Sequence, residues 1–492
     1  MNILLIYPKF PDTFWSFKHA LEFVGKKAAF PPLGLITVAA MLPPAWNKRL
    51  VDANVRRLRD ADLKWADYAF VSAMAVQRKA VLHILDQCKA AGVKVVAGGP
   101  LFTVSQELFP DVDHLVLNEA EQTLPLFLQD LERGHAKRVY TTPEFAALHQ
   151  TPQPLWELLE MRRYASMAMQ FSRGCPFNCD FCNVTTLFGH RVRMKSAAQI
   201  TAELDRLHAL GWRGEVFFVD DNFIGNKAFL RNDLLPALIA WRKKNPGILF
   251  FTEVSLNLAD DPALVRQMVE AGFTKVFIGI ETPNEDSLAE CGKSQNRNRD
   301  LVATVKSIQR AGLQVQGGFI VGFDHDRPSI FQRQIDFIQK SGIVTAMVGL
   351  LQAPRGTRLY ARLKAAGRLQ GDSTGDNVDG TTNIVPVMSL ETLKAGYKRI
   401  LDGIYAPDPF YRRIRTFLRE YNPPKVRGHF QRGHLKALLY SFFKLGLFER
   451  GRWAYWKLLF WTQFHRPRLI PDALVLAIYG YHFRKVCQKS AR

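Results

Sequence analysis

Three cysteines within eight residues are the part of the sequence with the clearest chemical content. Cys175, Cys179 and Cys182 lie in the turn-rich stretch 173-RGCPFNCDFC-182, whereas Cys88, Cys291 and Cys487 are scattered along the chain. An odd number of thiols does not pair off internally, and a reducing compartment disfavours disulfides. The triplet therefore indicates a set of metal ligands.

The C-x3-C-x2-C spacing favours an iron–sulfur cluster over zinc. Three thiolates hold three irons of a 4Fe-4S cluster and leave the fourth iron open for a substrate or cofactor, whereas four thiolates suit electron transfer. Structural zinc usually takes four ligands, and the nearest further candidate, His190, lies eight residues beyond Cys182. Three unrelated thiols are the remaining interpretation.

Alternating apolar strands and amphipathic helices surround the cysteines and must position them. Six strand patterns separated by helical segments predict an open or partial (β/α)6 barrel over 166–365. These strands are predicted at 167–173, 215–221, 249–255, 275–281, 315–321 and 345–351. The catalytic and binding residues of such a barrel lie at the carboxyl ends of the strands. Residues predicted there are Arg173, Asp220, Asp221, Glu253, Glu281 and Gly322.

The first third of the chain predicts a separate Rossmann-like α/β domain over 1–137. Its strands, predicted at 2–8, 48–54, 68–74, 93–99 and 114–120, alternate with helices, which implies a parallel sheet covered on both faces. Ligands of such sheets bind beyond the carboxyl ends of the strands. Residues 138–165 are rich in proline and are predicted to form a linker.

Composition predicts a cytoplasmic, globular, multidomain protein. The chain has 492 residues, 47% of them hydrophobic, and a net charge of +21. Its N-terminus has no basic, apolar and small-residue pattern of a secretory signal, and no apolar run reaches the roughly 18 residues that span a bilayer. Beyond about residue 365 the alternation stops, so 366–492 is predicted to be a mainly helical extension. From Tyr421 to the end, 14 Lys and Arg stand against Glu449 and Asp472.

The loop RGCPFNCDFC, with an aromatic residue before its third cysteine, resembles the signature of the radical S-adenosylmethionine (SAM) superfamily. The resemblance implies a 4Fe-4S cluster on Cys175, Cys179 and Cys182 whose open iron binds SAM. It also assigns SAM contacts along the strand ends, although the stretch VDDN (219–222) lacks the glycines that the family usually carries there. The SAM-binding residues implied are Phe181, Asp220, Asp221, Asn222, Glu253, Glu281 and Gly318.

The N-terminal third resembles the cobalamin-binding domain that precedes the barrel in one large radical-SAM class. The matching pieces are LLIYPKF, PPLGL, VSAMAVQ, VVAGGP and LNEAEQTL. The D-x-H-x-x-G motif of many cobalamin proteins is absent, which implies cobalamin bound without a protein histidine. The cobalamin-binding residues implied are Tyr7, Ser72, Ala73, Met74, Gly98, Gly99 and Glu119.

Within that class the chain resembles a subgroup that contains hopanoid C-2 methylases, through 16–35 and the DG-TTNIVP pattern at 379–386. The resemblance implies reductive cleavage of SAM to methionine and a 5′-deoxyadenosyl radical. This radical would activate an unactivated carbon of a small or lipid-like substrate, and methylcobalamin would then methylate that carbon. An external electron donor of the flavodoxin or ferredoxin type is implied as a partner.

Three other functions compete with methylation. A cobalamin-dependent cyclase or rearrangement enzyme would carry the same motifs. A methylthiotransferase acting on tRNA is disfavoured, because those enzymes carry three further cysteines in the N-terminal domain and this one has only Cys88. A non-catalytic cobalamin or iron–sulfur sensor belongs to a different class, and the intact cysteine loop argues against it.

The segment 434–468 interleaves large apolar residues with Lys and Arg. This pattern is typical of a helix in a membrane interface, of a surface for single-stranded nucleic acid, or of a helical cap that buries its aromatic residues on the barrel. The resemblance to enzymes of membrane lipids favours peripheral contact with the inner face of a membrane and makes nucleic acid an unlikely partner.

Overall fold

Two parallel six-stranded sheets organise the chain. The computed structural model describes residues 1–424 and 432–490. The first sheet has the order β2-β1-β3-β4-β5-β6. Its strands are β1 (Asn2–Tyr7), β2 (Asn47–Asp52), β3 (Tyr68–Ser72), β4 (Lys94–Gly98), β5 (His114–Val116) and β6 (Val139–Tyr140).

The apolar sequence of β1 reflects burial on both faces of this sheet, as parallel strands require. Ile3 and Leu5 pack on one face, and Leu4 and Ile6 pack on the other. The helices of this domain are α1 (Lys18–Val24), α2 (Leu33–Met41), α3 (Asp60–Trp65), α4 (Arg78–Ala90), α5 (Pro100–Ser105) and α6 (Ala120–Glu132).

The second sheet is the partial barrel, with the order β14-β13-β12-β11-β10-β7, and a short antiparallel ribbon, β8–β9, lies beside it. The strands are β7 (Ser166–Met169), β8 (Ser172–Arg173), β9 (Arg193–Met194), β10 (Glu215–Phe218), β11 (Phe250–Glu253), β12 (Phe273–Glu281), β13 (Gln314–Val321) and β14 (Ala346–Leu350). The helices are α7 (Val184–Phe188), α8 (Ala197–Ala209), α9 (Lys227–Phe229), α10 (Leu235–Lys244), α11 (Pro262–Ala271), α12 (Glu285–Glu290), α13 (Leu301–Arg310), α14 (Ile330–Ser341) and α15 (Arg358–Ala365).

The C-terminal extension is helical and closes the barrel. Its helices are α16 (Leu390–Tyr405), α17 (Pro407–Glu420), α18 (Arg432–Phe443), α19 (Arg452–His465) and α20 (Ile470–Ser490). Phe483 of α20 stacks on Phe14 with ring centroids 4.1 Å apart, so the two ends of the chain form one core. The parts of the predicted basic tail at 425–431 and 491–492 lie outside the described residues.

The predicted α/β class is confirmed, with a cobalamin-type domain, a six-stranded barrel and a helical extension in that order. Three short strands, β6, β8 and β9, were not predicted as separate elements. Strand β6 lies inside the predicted linker and pairs with β5, and the predicted strand 167–173 is broken into β7 and β8. Strands β6, β8 and β9 have only two residues each, too few for a period of two to be visible in the sequence.

Candidate active site

The three cysteines lie on a loop whose two ends are held together by the β8–β9 ribbon. Arg173 of β8 pairs with Arg193 of β9, and the segment between them contains Cys175, Cys179 and Cys182. We call this ribbon the neck of the cluster loop. All three thiols are half-buried and unpaired as disulfides, so the loop presents them together.

The thiols suit a cluster better than a single ion. In the described part of the chain, no three His, Cys, Asp or Glu side chains converge on one metal position. Three cysteines of a 4Fe-4S cluster bind three different irons and need no common point. Burial raises the pKa of each thiol, that of Cys182 to about 12, so cluster binding must displace their protons.

Lys293 is a charged neighbour of the cysteines that the sequence did not identify. Its Nζ lies 2.7 Å from Oε1 of Glu281, and both side chains are almost fully buried. Burial lowers the pKa of Lys293, but Glu281 and the thiols of Cys179 and Cys182 outweigh burial and raise it. Lys293 is therefore a fixed positive charge beside the place where thiolates would be negative. Its loop position has no local sequence pattern that would have revealed this role.

The carboxylates at the ends of β10 and β11 divide into two groups. Asp220 is fully buried and accepts hydrogen bonds from the backbone N–H of Phe171 and Ser172 and from the Ser172 hydroxyl. Asn222 is also buried and accepts from Ser255. Asp220 therefore holds the backbone just before the cysteine loop, whereas Asn222 holds the backbone after β11. The predicted contacts of both residues with SAM stay predictions.

Asp221 and Glu253, unlike Asp220, do not take part in the side-chain hydrogen bonds described above. Both are half-buried, and neither takes part in any of the ion pairs found among residues 1–424 and 432–490. Burial, then Asp221 and Asp220, raise the pKa of Glu253 to about 8, and burial raises that of Asp221 to about 6. Carboxylates that form no ion pair with another described residue are suited to the ammonium and hydroxyl groups of a ligand such as SAM.

Three further predicted SAM residues surround this position. Glu281 has a φ of +66°, which is uncommon for a residue with a Cβ and concentrates at functional sites. Gly318 lies in close contact with the ring of Phe277, since a Cβ there would approach Cζ to 2.8 Å. Phe181 packs near Phe323, with ring centroids 6.4 Å apart. The structure brings these residues together on the barrel, and their contacts with SAM remain predictions.

A cavity of about 290 Å³ lies at the carboxyl ends of β3, β4 and β5. Ser72, Gly98, Gly99 and Glu119 line it, as predicted for cobalamin, whereas Tyr7, Ala73 and Met74 are not part of its wall. One wall is helix α2, which the prediction did not assign. The barrel contributes residues to the cavity as well: Gln170, Arg173, Lys195 and Val219.

The two glycines of this cavity are required by the packing of the strand ends around them. Gly99 has a φ of +88°, and a Cβ there would lie 2.6 Å from Oγ of Ser72. A Cβ on Gly98 would lie 2.5 Å from the carbonyl oxygen of Val116. Any side chain at either position would distort the strand ends that form the floor of the cavity, so the cavity requires both glycines.

Glu119 lies in this wall but is engaged within the protein. Its carboxylate binds Arg173 Nη1 at 3.2 Å and Arg193 Nη1 at 2.7 Å, and it also accepts from the backbone N–H of Ala146. Glu121 binds Arg173 through both of its oxygens, at 2.8 and 2.9 Å. These four side chains connect the first domain to the neck of the cluster loop.

Models of three protein families match consecutive parts of the chain. A B12 binding domain matches residues 27–128, the radical SAM superfamily matches 169–338, and a domain of unknown function matches 357–492. The chain is 40% identical to an uncharacterized methyltransferase of Synechocystis over 98% of its length and 91% of the relative. It is 32% identical to the hopanoid C-2 methylase of Rhodopseudomonas palustris, over 100% and 94% of the two chains.

Solved structures show the same fold at lower identity. The cobalamin-dependent SAM radical enzyme OxsB, with aqua-cobalamin and SAM bound, matches at a TM-score of 0.64 and 13% identity over 100% of this chain and 80% of its own. The radical SAM methyltransferase TsrM of Kitasatospora setae, with cobalamin and a 4Fe-4S cluster bound, matches at 0.59 and 14% identity, over 96% and 99%.

Proposed function

This chain belongs to the cobalamin-dependent radical SAM methyltransferases, and we propose that it methylates an unactivated carbon of a lipid-like substrate. The observation that carries the proposal is the shared wall of the two sites. Arg173 lines the cavity at the edge of the first sheet and belongs to the neck that holds the cysteine loop. A substrate between the two sites would therefore reach both cofactors.

The cofactors supply a carbon radical and a methyl group when they are bound, and the chain supplies positions and charges. Cys175, Cys179 and Cys182 would hold the cluster, and Lys293 would offset part of the thiolate charge. Asp221 and Glu253 would bind the polar groups of SAM. The cavity with Gly98 and Gly99 would hold cobalamin, and an external donor of the flavodoxin or ferredoxin type would supply the electron.

The interior of the barrel supports an apolar substrate. Side chains two residues apart on a strand share a face, so Phe251 lies on the same face of β11 as Glu253. Phe217 and Phe251 stack with centroids 4.8 Å apart. Trp15 contacts Phe277 edge-on at 5.1 Å. An aromatic layer therefore lies below the carboxylates, as suits a hydrocarbon surface rather than a sugar or a nucleotide.

The second relevant surface lies on α18, α19 and the turn between them, which we call the apolar face. The described residues 435–464 expose ten large apolar side chains: Leu435, Leu438, Leu439, Phe442, Phe443, Leu447, Phe448, Trp453, Phe460 and Phe464. Five of them follow the i, i+3, i+4, i+7, i+8 spacing of one helix side. In the same segment Tyr455 and Leu458 of α19 are buried, as a helical cap on the barrel requires.

We propose that the apolar face binds the surface of an anionic membrane, where a lipid-like substrate would be met. The exposed charges around it are almost all positive: Lys436, Arg450, Arg452, Lys457 and Arg468. Apolar side chains framed by cations are typical of interfacial helices. No helix among the described residues is both long and apolar enough to cross a bilayer.

Anaerobic reconstitution tests the proposed reaction. We expect the wild-type protein to bind iron, sulfide and cobalamin and to form 5′-deoxyadenosine from SAM with a chemical reductant. The variant C182A should lose the iron and the product. C291A is the matched control, because Cys291 is buried beside the loop, where its carbonyl accepts from the backbone N–H of Asp180, but lies outside the motif. A wild-type protein that binds both cofactors and never cleaves SAM would refute the proposed reaction.

A further inference from the structure

The neck of the cluster loop brings two arginines of like charge into direct register. Arg173 and Arg193 are partners in the antiparallel β8–β9 pair, and both are largely buried, with 12% and 14% of their side chains exposed. Like charges opposite each other destabilise a strand pair. The ribbon therefore needs a negative group between the two guanidinium groups.

That negative group comes from the other domain. One oxygen of Glu119 lies 3.2 Å from Arg173 and its other oxygen lies 2.7 Å from Arg193. Glu121 adds a bidentate pair with Arg173, and Gln170 accepts from Arg173 Nε at 2.8 Å. The whole guanidinium group of Arg173 is thus fixed, with two of its three partners supplied by the cobalamin-type domain.

Both glutamates also line the cavity, as does Arg173. Removing either partner would leave a buried charge unpaired, which is strongly unfavourable, so the four side chains must move together. Arg173 is followed by Gly174 and then by Cys175. Gly174 has a φ of +93° and no room for a Cβ, which would lie 2.6 Å from the carbonyl oxygen of Arg191. The connection from the cavity to the first cysteine is therefore short and closely packed.

We propose that Arg173 is a positioning residue that couples occupancy of the cobalamin cavity to the geometry of the cluster loop and hence to SAM binding. The proposal rests on the proposed function, in which cobalamin occupies the cavity. Glu119 and Glu121 line the cavity, so a ligand there would restrict the movement of both carboxylates. Because the carboxylates hold Arg173 and Arg193, the neck is fixed as well, and the cysteines are ordered for SAM.

Linkage gives this coupling a measurable form. If cobalamin changes the affinity for SAM through the neck, SAM must change the affinity for cobalamin by the same factor. In cluster-reconstituted wild-type protein we expect hydroxocobalamin to lower the Kd for SAM by about fivefold or more, the range typical of coupled sites. It should also shift the electron paramagnetic resonance spectrum of the reduced cluster.

The test variant is E121Q, which keeps the size of the side chain and removes the charge that Arg173 requires. We expect it to bind cobalamin, by absorbance, and SAM, by calorimetry, but with the same SAM Kd in the presence and absence of cobalamin. D62N is the matched control, because Asp62 pairs with Arg56 at 2.7 Å inside the first domain, away from the neck. It should keep the wild-type ratio.

The outcomes separate this proposal from the proposed function. A wild-type protein that binds cobalamin with no change in SAM affinity, or an E121Q protein that retains the full change, overturns the coupling alone. A wild-type protein that binds no cobalamin overturns the proposed function and the coupling with it. If E121Q does not fold, R173K takes its place, and it should likewise show the same SAM Kd with and without cobalamin. One ammonium group cannot replace the forked contacts of Arg173 with both glutamates.

Discussion

At the residue scale, the carboxylates Asp221 and Glu253 of the candidate SAM site are unusual because neither forms an ion pair with another described residue. Glu253 and Asp221 follow adjacent strands and are removed from water, and Asp221 and Asp220 add to the cost of ionising Glu253. Their pKa values are therefore raised, to about 8 and about 6. Buried carboxylates of raised pKa lower the stability of the folded chain. They are expected at a site where the cation of a ligand pairs with them.

Glu253 makes the stability of the cofactor-free protein depend on pH. Its pKa rises from 4.5 to about 8 on folding, so between these values the folded chain holds a proton that the unfolded chain has released. The free energy of unfolding should therefore fall as pH rises through this window, by up to about 1.4 kcal/mol per pH unit for one group. In E253Q the melting temperature should fall less between pH 5 and pH 8 than in the wild type.

Thermal unfolding followed by circular dichroism measures this difference. Asp220 and Asp221 remain in E253Q, so part of the pH dependence should persist. E270Q, on the exposed surface of the same barrel, should behave like the wild type. Parallel pH curves for E253Q and the wild type would show that Glu253 is not protonated in the folded chain.

At the element scale, the neck determines whether the cysteines can be brought together. G174A adds a Cβ that would lie 2.6 Å from the carbonyl oxygen of Arg191, so the ribbon must open to accommodate it. G211A is the matched control, with a φ of +87° and open space around its Cβ. We expect G211A to cost about 1–2 kcal/mol, the ordinary penalty of a left-handed residue, with normal iron uptake.

G174A should lose the same stability through its left-handed backbone conformation. It should also contain much less iron than G211A after anaerobic reconstitution. Iron content per chain and urea unfolding of the cofactor-free protein measure the two effects separately. If G174A takes up as much iron as G211A, the neck does not control cluster binding.

The elements also show what the sequence could reveal. The strand patterns of both sheets were visible because parallel strands covered on both faces are almost continuously apolar, as in residues 2–7. The cysteine triplet was visible because its spacing is local. Lys293 and the Glu119–Arg193 pair were not visible, because each depends on residues 12 and 74 positions apart that only the tertiary fold brings together.

At the scale of the whole molecule, the positive charge that gives the net value of +21 is unevenly distributed over the surface. Cations cluster around the apolar face, so the protein should approach an anionic surface with α18 and α19 leading. The long-range attraction is screened by salt, whereas the apolar contact is not. A groove of Leu435, Lys436, Leu439, Tyr440 and Phe443 lies on this side of the molecule.

Vesicle co-sedimentation tests the apolar face with the full-length protein. Removal of the tail would expose the core around Phe483, so point variants are cleaner. F448S/F464S should bind phosphatidylglycerol-containing vesicles about tenfold or more weakly than the wild type, because burial of a phenylalanine contributes about 1.5–3 kcal/mol. L126S/V387S removes two exposed apolar residues from other surfaces and should bind normally. Equal binding by F448S/F464S and the wild type would refute membrane contact.

The stacking of Phe14 on Phe483 has a consequence for biosynthesis. The first sheet can form soon after residue 140 leaves the ribosome, but the aromatic segment around Phe14 stays uncovered until α20 has been made. From residue 140 to the end of α20 at Ser490 the chain grows by 350 residues, which takes about 20–70 s at roughly 5–20 residues per second. Throughout this interval the nascent chain carries Phe14 and Phe17 without the aromatic partners that α20 supplies. Chaperone dependence of expression should therefore follow the arrival of the last helix rather than the folding of the first domain.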